Sequence, residues 1–195
     1  MLVSIAGSQG AGKSTILSSL IHDGYNVITR KTSRSILQEW GVTLDMVNSD
    51  YDLTIKFQNE ILIRKINDEY EAAQSDQLWF TERTFADLFT YAVITLGKDN
   101  MYSDYLEQYY IDCMRAQQQY AHIFYLKAGM FKIENDGVRG ASLHYSRMVD
   151  LVMSDITQQM SLPGYISIID TPCLNQRTNI IRVQTERMKK NTSLT

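Results

Sequence analysis

Leu2-Val3-Ser4-Ile5-Ala6-Gly7-Ser8-Gln9-Gly10-Ala11-Gly12-Lys13-Ser14-Thr15 is the stretch on which the reading of this chain turns. Leu2 to Ala6 is a short apolar run of strand length. Gly7 to Ser14 then fits G-x-x-x-x-G-K-[ST] in full, and a helical pattern follows from Lys13 to Asp23. The residue types follow from the ligand they suit. A triphosphate carries several negative charges and needs several donors at once. Glycines let the backbone curl so that successive N–H groups point inward, and the helix N-terminus adds its positive end. Gly7, Ser8, Gln9, Gly10, Ala11 and Gly12 are expected to line such a loop. Lys13 is expected to reach the β- and γ-phosphates of ATP, Ser14 to hold Mg²⁺, and Thr15 to donate to the α-phosphate. A glycine-rich turn matching by chance is the alternative, and the strand-loop-helix setting argues against it. The motif speaks for nucleotide binding and is silent about the acceptor.

Outward from this loop, short apolar runs alternate with longer helical patterns. Strands are expected at Tyr25 to Thr29, Gln77 to Thr81, His122 to Leu126 and Tyr165 to Ile169. Leu53, Phe57, Ile61, Leu62, Ile66 and Tyr70 recur at helical spacing. Further stripes run over Phe85, Leu88, Phe89, Ala92, Val93 and Leu96, over Leu106, Tyr109, Tyr110, Cys113 and Met114, and over Val149, Val152, Met153, Ile156 and Met160. Thr171-Pro172 reads as a capping hydroxyl followed by proline at the first helical position, opening a helix from about Cys173 to Lys189. The alternation predicts an α/β fold. Its sheet is five-stranded and mainly parallel, with helices on both faces. No linker or repeat breaks the chain, so residues 1–195 read as a single domain. The glycine-rich, aperiodic stretch Lys127 to Gly140 suggests a lid spanning about residues 127–147.

The 195 residues suffice for a sizeable core. With 22 acidic and 19 basic side chains the net charge is −3, which argues against bulk adhesion to DNA or an anionic membrane but leaves room for a local basic groove. Cys113 and Cys173 have no metal-ligand or CxxC spacing, so a reduced, cytoplasmic setting is expected. No basic n-region precedes the first strand and no apolar run spans a bilayer, so no membrane partner is expected.

Phosphoryl transfer needs a carboxylate to position the metal or take the acceptor proton. Two strand ends offer one, Glu82 and Asp170. Glu82 is preferred, both as metal ligand and as catalytic residue, because open α/β sheets bind ligands at the carboxyl ends of their strands. Arg83 follows it and suits a phosphate. A surface ion pair is the plainer account of both. Asp170 adjoins Thr171-Pro172, where helix capping is the economical reading, and Thr84-x-x-Asp87 resembles a capping box. Arg139, in Asp136-Gly137-Val138-Arg139, suits closure over the γ-phosphate, with Arg147 as its understudy and a solvated D-G turn as the alternative. Arg30, Lys31 and Arg34 suit an acidic acceptor, such as a nucleotide phosphate or a DNA backbone, or else mark a solvated helix start. His22, His122 and His144 show no zinc spacing.

The phosphate loop, Glu82-Arg83 and Asp136-Gly137-Val138-Arg139 together resemble the nicotinamide-riboside-kinase-like branch of P-loop ATPases. The stretch Phe80-Thr81-Glu82-Arg83-Thr84-Phe85-Ala86-Asp87-Leu88-Phe89-Thr90-Tyr91 is similar to bacteriophage members of that branch, among them 5-hydroxymethyluracil DNA kinases. The resemblance covers most of the chain. It implies a nucleotide-kinase-like fold with a lid carrying Arg139. It also implies transfer of the γ-phosphate of ATP to a hydroxyl of a nucleoside-type acceptor. Modified phage DNA is the preferred acceptor, and a deoxynucleoside or its monophosphate is the runner-up. A phage-encoded protein would work in the host cytoplasm. A GTPase would show N-K-x-D and D-x-x-G, and an ATP-driven machine an apolar strand ending in Asp-Glu; the sequence has none of these. A P-loop protein that binds nucleotide without transferring phosphate is the third class.

Overall fold

The computed structural model describes residues 1–29, 32–128 and 143–192. Its centre is β1 (Leu2–Ala6), an apolar run whose five residues are all buried. A strand covered on both faces needs no polar alternation, which is why Leu2 to Ala6 reads as nearly continuous apolar sequence. Four more strands pair with it in the order β2 (Asn26–Val27), β3 (Trp79–Glu82), β1, β4 (Tyr120–Leu126), β5 (Ile166–Ile169), every pairing parallel. The α/β fold with a five-stranded sheet and helices on both faces is as expected.

Pleat alternation divides the core in two. Val3, Ile5, Phe80, Phe124, Leu126 and Ile169 face α1 (Lys13–His22) and α8 (Leu174–Thr192), and pack with Ile16, Leu20 and Ile181. Leu2, Ile123 and Tyr125 face the opposite layer. That layer draws on α4 (Tyr51–Gln74), α5 (Phe85–Leu96), α6 (Ser103–Gln117) and α7 (Leu143–Gln159). Burying a large aliphatic or aromatic side chain contributes about 1.5–3 kcal/mol.

Several boundaries differ from expectation, each for a local reason. Tyr25 is not in β2, because its N–H donates to Leu20 O and closes α1 (3.0 Å). The third strand lies one to two residues further on than Gln77 to Thr81 and includes Glu82. Two helices went unread, α2 (Thr32–Trp40) and α3 (Leu44–Ser49). The signal for α3 was its cap, Thr43 Oγ1 accepting from Met46 N at 3.2 Å; Asp50 Oδ1 likewise accepts from Leu53 N at 3.0 Å and opens α4. The α4 stripe is also corrected. Ile66 and Tyr70 are exposed, whereas Lys65 and Glu69 are buried. Their burial is possible because they satisfy each other and the sheet. Glu69 accepts from Lys65 Nζ (2.6 Å), Thr81 Oγ1 (2.6 Å), Gln119 Nε2 (2.6 Å) and Tyr120 OH (2.8 Å). Finally, α8 begins at Leu174, so Pro172 precedes the helix. Thr171 Oγ1 instead accepts from Cys173 N at 3.3 Å in a turn.

Candidate functional site

All five parallel strands end at one edge of the sheet, and the glycine loop leaves β1 at the middle of that edge. Gly7 has φ 132°, and a Cβ there would meet Leu126 O of β4 at 2.4 Å, so only glycine lets the loop pass this close. Gly12 takes the left-handed conformation (φ 83°) as it turns into α1. Lys13 is buried, and its Nζ donates to Gly7 O (2.7 Å) and Ser8 O (2.9 Å), folded along its own loop. Ser14 and Thr15 follow in the first turn of α1 with both side chains exposed.

Two buried groups fix the loop from outside. Asp150 of α7 accepts from Ser8 Oγ (3.3 Å), Tyr125 OH (3.0 Å) and Ala128 N (3.2 Å). Arg177 of α8 is fully buried and donates to Ala11 O (2.6 Å), Thr171 O (2.6 Å) and Lys127 O (2.9 Å). One guanidinium thus ties the loop to the ends of β4 and β5. Burial lowers its proton affinity, partly offset by Asp170 and Asp150. Sequence reading assigned neither Asp150 nor Arg177. Their i+4 neighbours carry no motif, so only the folded chain brings them to the loop.

Beside the loop, β3 ends in Glu82 and Arg83. Glu82 is in register with Ile5, and alternation gives it the face of Phe80, the one covered by α1. Ser14 opens that same helix. Arg83 stands in the left-handed region (φ 70°), the one non-glycine to do so among the described residues, a strain of about 1–2 kcal/mol. The ladder holds it there. Its N–H donates to Ile5 O (2.9 Å), its carbonyl accepts from Ser4 Oγ (2.6 Å), and Lys65 Nζ donates to Glu82 O (3.1 Å). This bend sends the Arg83 side chain to the α5 side, over the Tyr91 ring at 5.5 Å and 3.8 Å from Asp87 Oδ2. Burial works against the Arg83 charge, and Tyr91, Asp87 and Glu82 together outweigh it.

The capping box is half made. Thr84 Oγ1 accepts from Asp87 N (3.2 Å), as expected for a cap. The Asp87 carboxylate does not reach back to the Thr84 backbone. Its Oδ1 accepts from the Thr84 hydroxyl at 2.7 Å, and its Oδ2 has no hydrogen-bond partner. Asp87 is fully buried, which raises its carboxyl above the ordinary range, opposed by Arg83, Lys13, Thr84 and Lys65.

The remaining expectations divide. Asp170 is no helix cap: it pairs with Lys127 Nζ at 3.3 Å, because α8 starts beyond it. Arg34 is exposed in the first turn of α2, and Arg147 is exposed near the start of α7. Arg30, Lys31, Arg139 and the Asp136-Gly137-Val138-Arg139 motif lie outside the described residues, as does most of the expected lid. No helix among the described residues is long and apolar enough to cross a membrane.

Comparison with solved structures finds the same fold. Deoxyadenosine kinase from M. mycoides with bound dATP superposes with a TM-score of 0.68 at 16% identity, covering 95% of this chain and 99% of that one. The same enzyme with bound dCTP gives 0.67 at 14% identity, covering 96% and 100%. The NadR protein in complex with NR gives 0.62 at 14% identity, covering 87% of this chain, which spans only 45% of that protein. Comparison with curated proteins finds no match. The AAA domain model matches residues 2–171, from the first residue of β1 to just beyond the end of β5, and so takes in every strand of the sheet; the chain belongs to the AAA domain family.

Proposed function

We propose that this protein is a P-loop kinase that transfers the γ-phosphate of ATP to a hydroxyl of a nucleoside-type acceptor. The observation that carries the reading is the complete phosphate loop set beside the Glu82-Arg83 strand end. Gly7 to Gly12 present backbone N–H groups to the phosphates, and Thr15 donates to the α-phosphate. Lys13 leaves the carbonyls of Gly7 and Ser8 for the β- and γ-oxygens, which offer it full negative charge in place of neutral dipoles. Arg83, prebent toward α5, takes an oxygen of the transferring group or of the acceptor. Arg139 stabilises charge on the transferring group, and Arg34, with Arg30, holds the acceptor.

Ser14 and Glu82, a hydroxyl and a carboxylate on the α1 side of the sheet, are a donor set that fits Mg²⁺, which prefers oxygen ligands and shares its shell with phosphate and water. The ion's part is to neutralise charge on the phosphates. Glu82→Gln keeps the shape and loses the charge. We expect it to lower turnover at least tenfold more than it weakens nucleotide binding, on the order of 10²-fold in kcat. The checks are steady-state kinetics and calorimetric ATP titration; a large loss in Asp170→Asn with none in Glu82→Gln moves the role to Asp170.

Arg139→Ala is expected to lower turnover by about a hundredfold or more, since transition-state arginines have at least that effect. ATP affinity should change little, and Arg139→Lys should rescue only in part, because a point charge lacks the planar donor fork. Single-turnover kinetics beside equilibrium binding decides it: equal losses in both make Arg139 a ground-state binder, and no loss in either leaves Arg147 as the lid residue.

For the acceptor, a free deoxynucleoside is supported by the end-to-end fold match with deoxyadenosine kinase and suits a chain of net charge −3. A 5-hydroxymethyluracil base in DNA is the second reading, supported by the resemblance of Phe80 to Tyr91 to phage proteins. The test is radiolabelled ATP with deoxynucleosides, their monophosphates and hydroxymethyluracil-containing DNA. ADP formed at one rate whatever the acceptor supports a nucleotide-controlled ATPase, a reading to which the AAA domain family also lends itself.

A further inference from the structure

We infer that Asp87 Oδ2 receives the proton of the acceptor hydroxyl, so that the two carboxylates divide the work, Glu82 on the metal side of β3 and Asp87 on the acceptor side. This rests on the kinase reading above.

The first ground is that Asp87 does not close the capping box its position suggests. It sits in the first turn of α5, where other side chains take the amides of Phe85, Ala86 and Asp87 itself. Gln117 Oε1 accepts from Phe85 N (3.0 Å) and Ala86 N (3.2 Å), and Thr84 Oγ1 accepts from Asp87 N. Its Oδ1 is occupied by the Thr84 hydroxyl. Its Oδ2 is buried without a hydrogen bond; Arg83 Nη1, its ion-pair partner at 3.8 Å, lies beyond hydrogen-bond reach. A buried carboxylate oxygen left without a hydrogen bond is costly, and such groups in native proteins call for an explanation.

The second ground is its company. The charged and titratable groups that face Asp87 are Lys13 of α1, Lys65 of α4, Arg83 of the β3 turn, and Tyr120 and Tyr125 of β4, with Asp150 of α7 behind Tyr125. Lys65 is bound to Glu69 and to the Glu82 carbonyl. Lys13 and Arg83 are the two cations that a triphosphate draws toward itself. Nucleotide binding therefore removes positive field from Asp87 and raises its proton affinity at the stage when the acceptor hydroxyl must lose its proton. In the transfer step the acceptor O–H bond breaks and its oxygen bonds the γ-phosphorus. The bond from that phosphorus to the bridging oxygen breaks, ADP keeping the electron pair. The proton passes to Asp87 Oδ2 and then to solvent.

The experiment compares wild type, Asp87→Asn, Asp87→Glu and Lys13→Ala. It measures ADP formation from Mg·ATP with deoxyadenosine, with the other deoxynucleosides and with water alone, beside ATP affinity and thermal melting. Asp87→Asn is expected to lose about a hundredfold or more in kcat with every acceptor, water included, to keep ATP affinity within threefold, and to lose the acid limb of the kcat–pH profile. Asp87→Glu should recover part of the rate. A carboxyl whose proton is held more tightly in the folded state loses stability as pH rises from its unfolded value through its folded one. Asp87→Asn should therefore melt no lower than wild type at pH 8. Unchanged kcat in Asp87→Asn overturns the assignment. So does a parallel loss of ATP affinity and melting temperature, which is what a purely structural Asp87 gives. Wild-type ADP formation retained in Lys13→Ala, or absent with every acceptor, overturns the kinase reading itself and this inference with it.

Discussion

Lys13→Ala is expected to reduce phosphoryl transfer by about a thousandfold or more while leaving the protein folded. Both halves of that expectation come from the same contacts. Lys13 Nζ donates to Gly7 O and Ser8 O, both carbonyls of the loop itself. Its loss exposes two carbonyls at the mouth of a loop, a cost of about 1–2 kcal/mol if water replaces the ammonium. The loop stays anchored by Asp150 through Ser8 and by Arg177 through Ala11. On the kinase reading nothing replaces the ammonium in transfer, because it is the loop's one charged donor to the γ-phosphoryl oxygens. Circular dichroism melting should fall by only a few degrees. Near-wild-type transfer by a folded Lys13→Ala protein would remove the phosphate loop from the mechanism.

How much of this was legible in the sequence depends on the range over which each feature is encoded. The loop could be read because phosphate recognition is a local backbone shape: Gly7 and Gly12 mark positive-φ positions, and Lys13 and Ser14 follow at fixed offsets. The sheet could be read because strands buried on both faces are short apolar runs, and Leu2 to Ala6 and Phe124 to Leu126 are such runs. Glu82 could be singled out only by its place at a strand end, and it does close β3. T-x-x-D is a true local signal for Thr84, which caps, but Asp87 turns instead to the Thr84 hydroxyl and to Arg83, a neighbour that only the bend after β3 brings to it. The α4 stripe was misread in the same way. Lys65 and Glu69 look like a solvated i, i+4 pair, and only Thr81, Gln119 and Tyr120 make their burial tolerable. Periodicity reports which face is buried but assigns that face to apolar residues by default.

Arg177→Ala is expected to destabilise the protein by about 3–5 kcal/mol and to weaken nucleotide binding as well. The residue looks ordinary in sequence, an arginine in the polar first turn of the last helix. In the fold it is fully buried, and its donors reach the carbonyls of Ala11, Lys127 and Thr171. Those three belong to the phosphate loop, the end of β4 and the end of β5. Alanine leaves three carbonyls without this donor and a cavity the size of a guanidinium, and each unsatisfied carbonyl costs about 1–3 kcal/mol before water enters. Partial hydration from the Thr171 side sets the total below that sum. For a chain of 195 residues a loss of this size lowers the melting temperature by roughly 10 °C, at 2–4 °C per kcal/mol. Arg177→Lys should recover little, because one ammonium on a flexible stem does not span three acceptors held apart by a planar fork. The effect on ATP should exceed what unfolding explains. Ala11 precedes Gly12 and Lys13, so a loop freed at Ala11 must be ordered by the nucleotide itself, and that ordering is subtracted from affinity. Calorimetric titration well below the variant's melting temperature separates the two contributions. A folded Arg177→Ala protein with wild-type ATP affinity would mean that Asp150, through Ser8 and Ala128, holds the loop on its own.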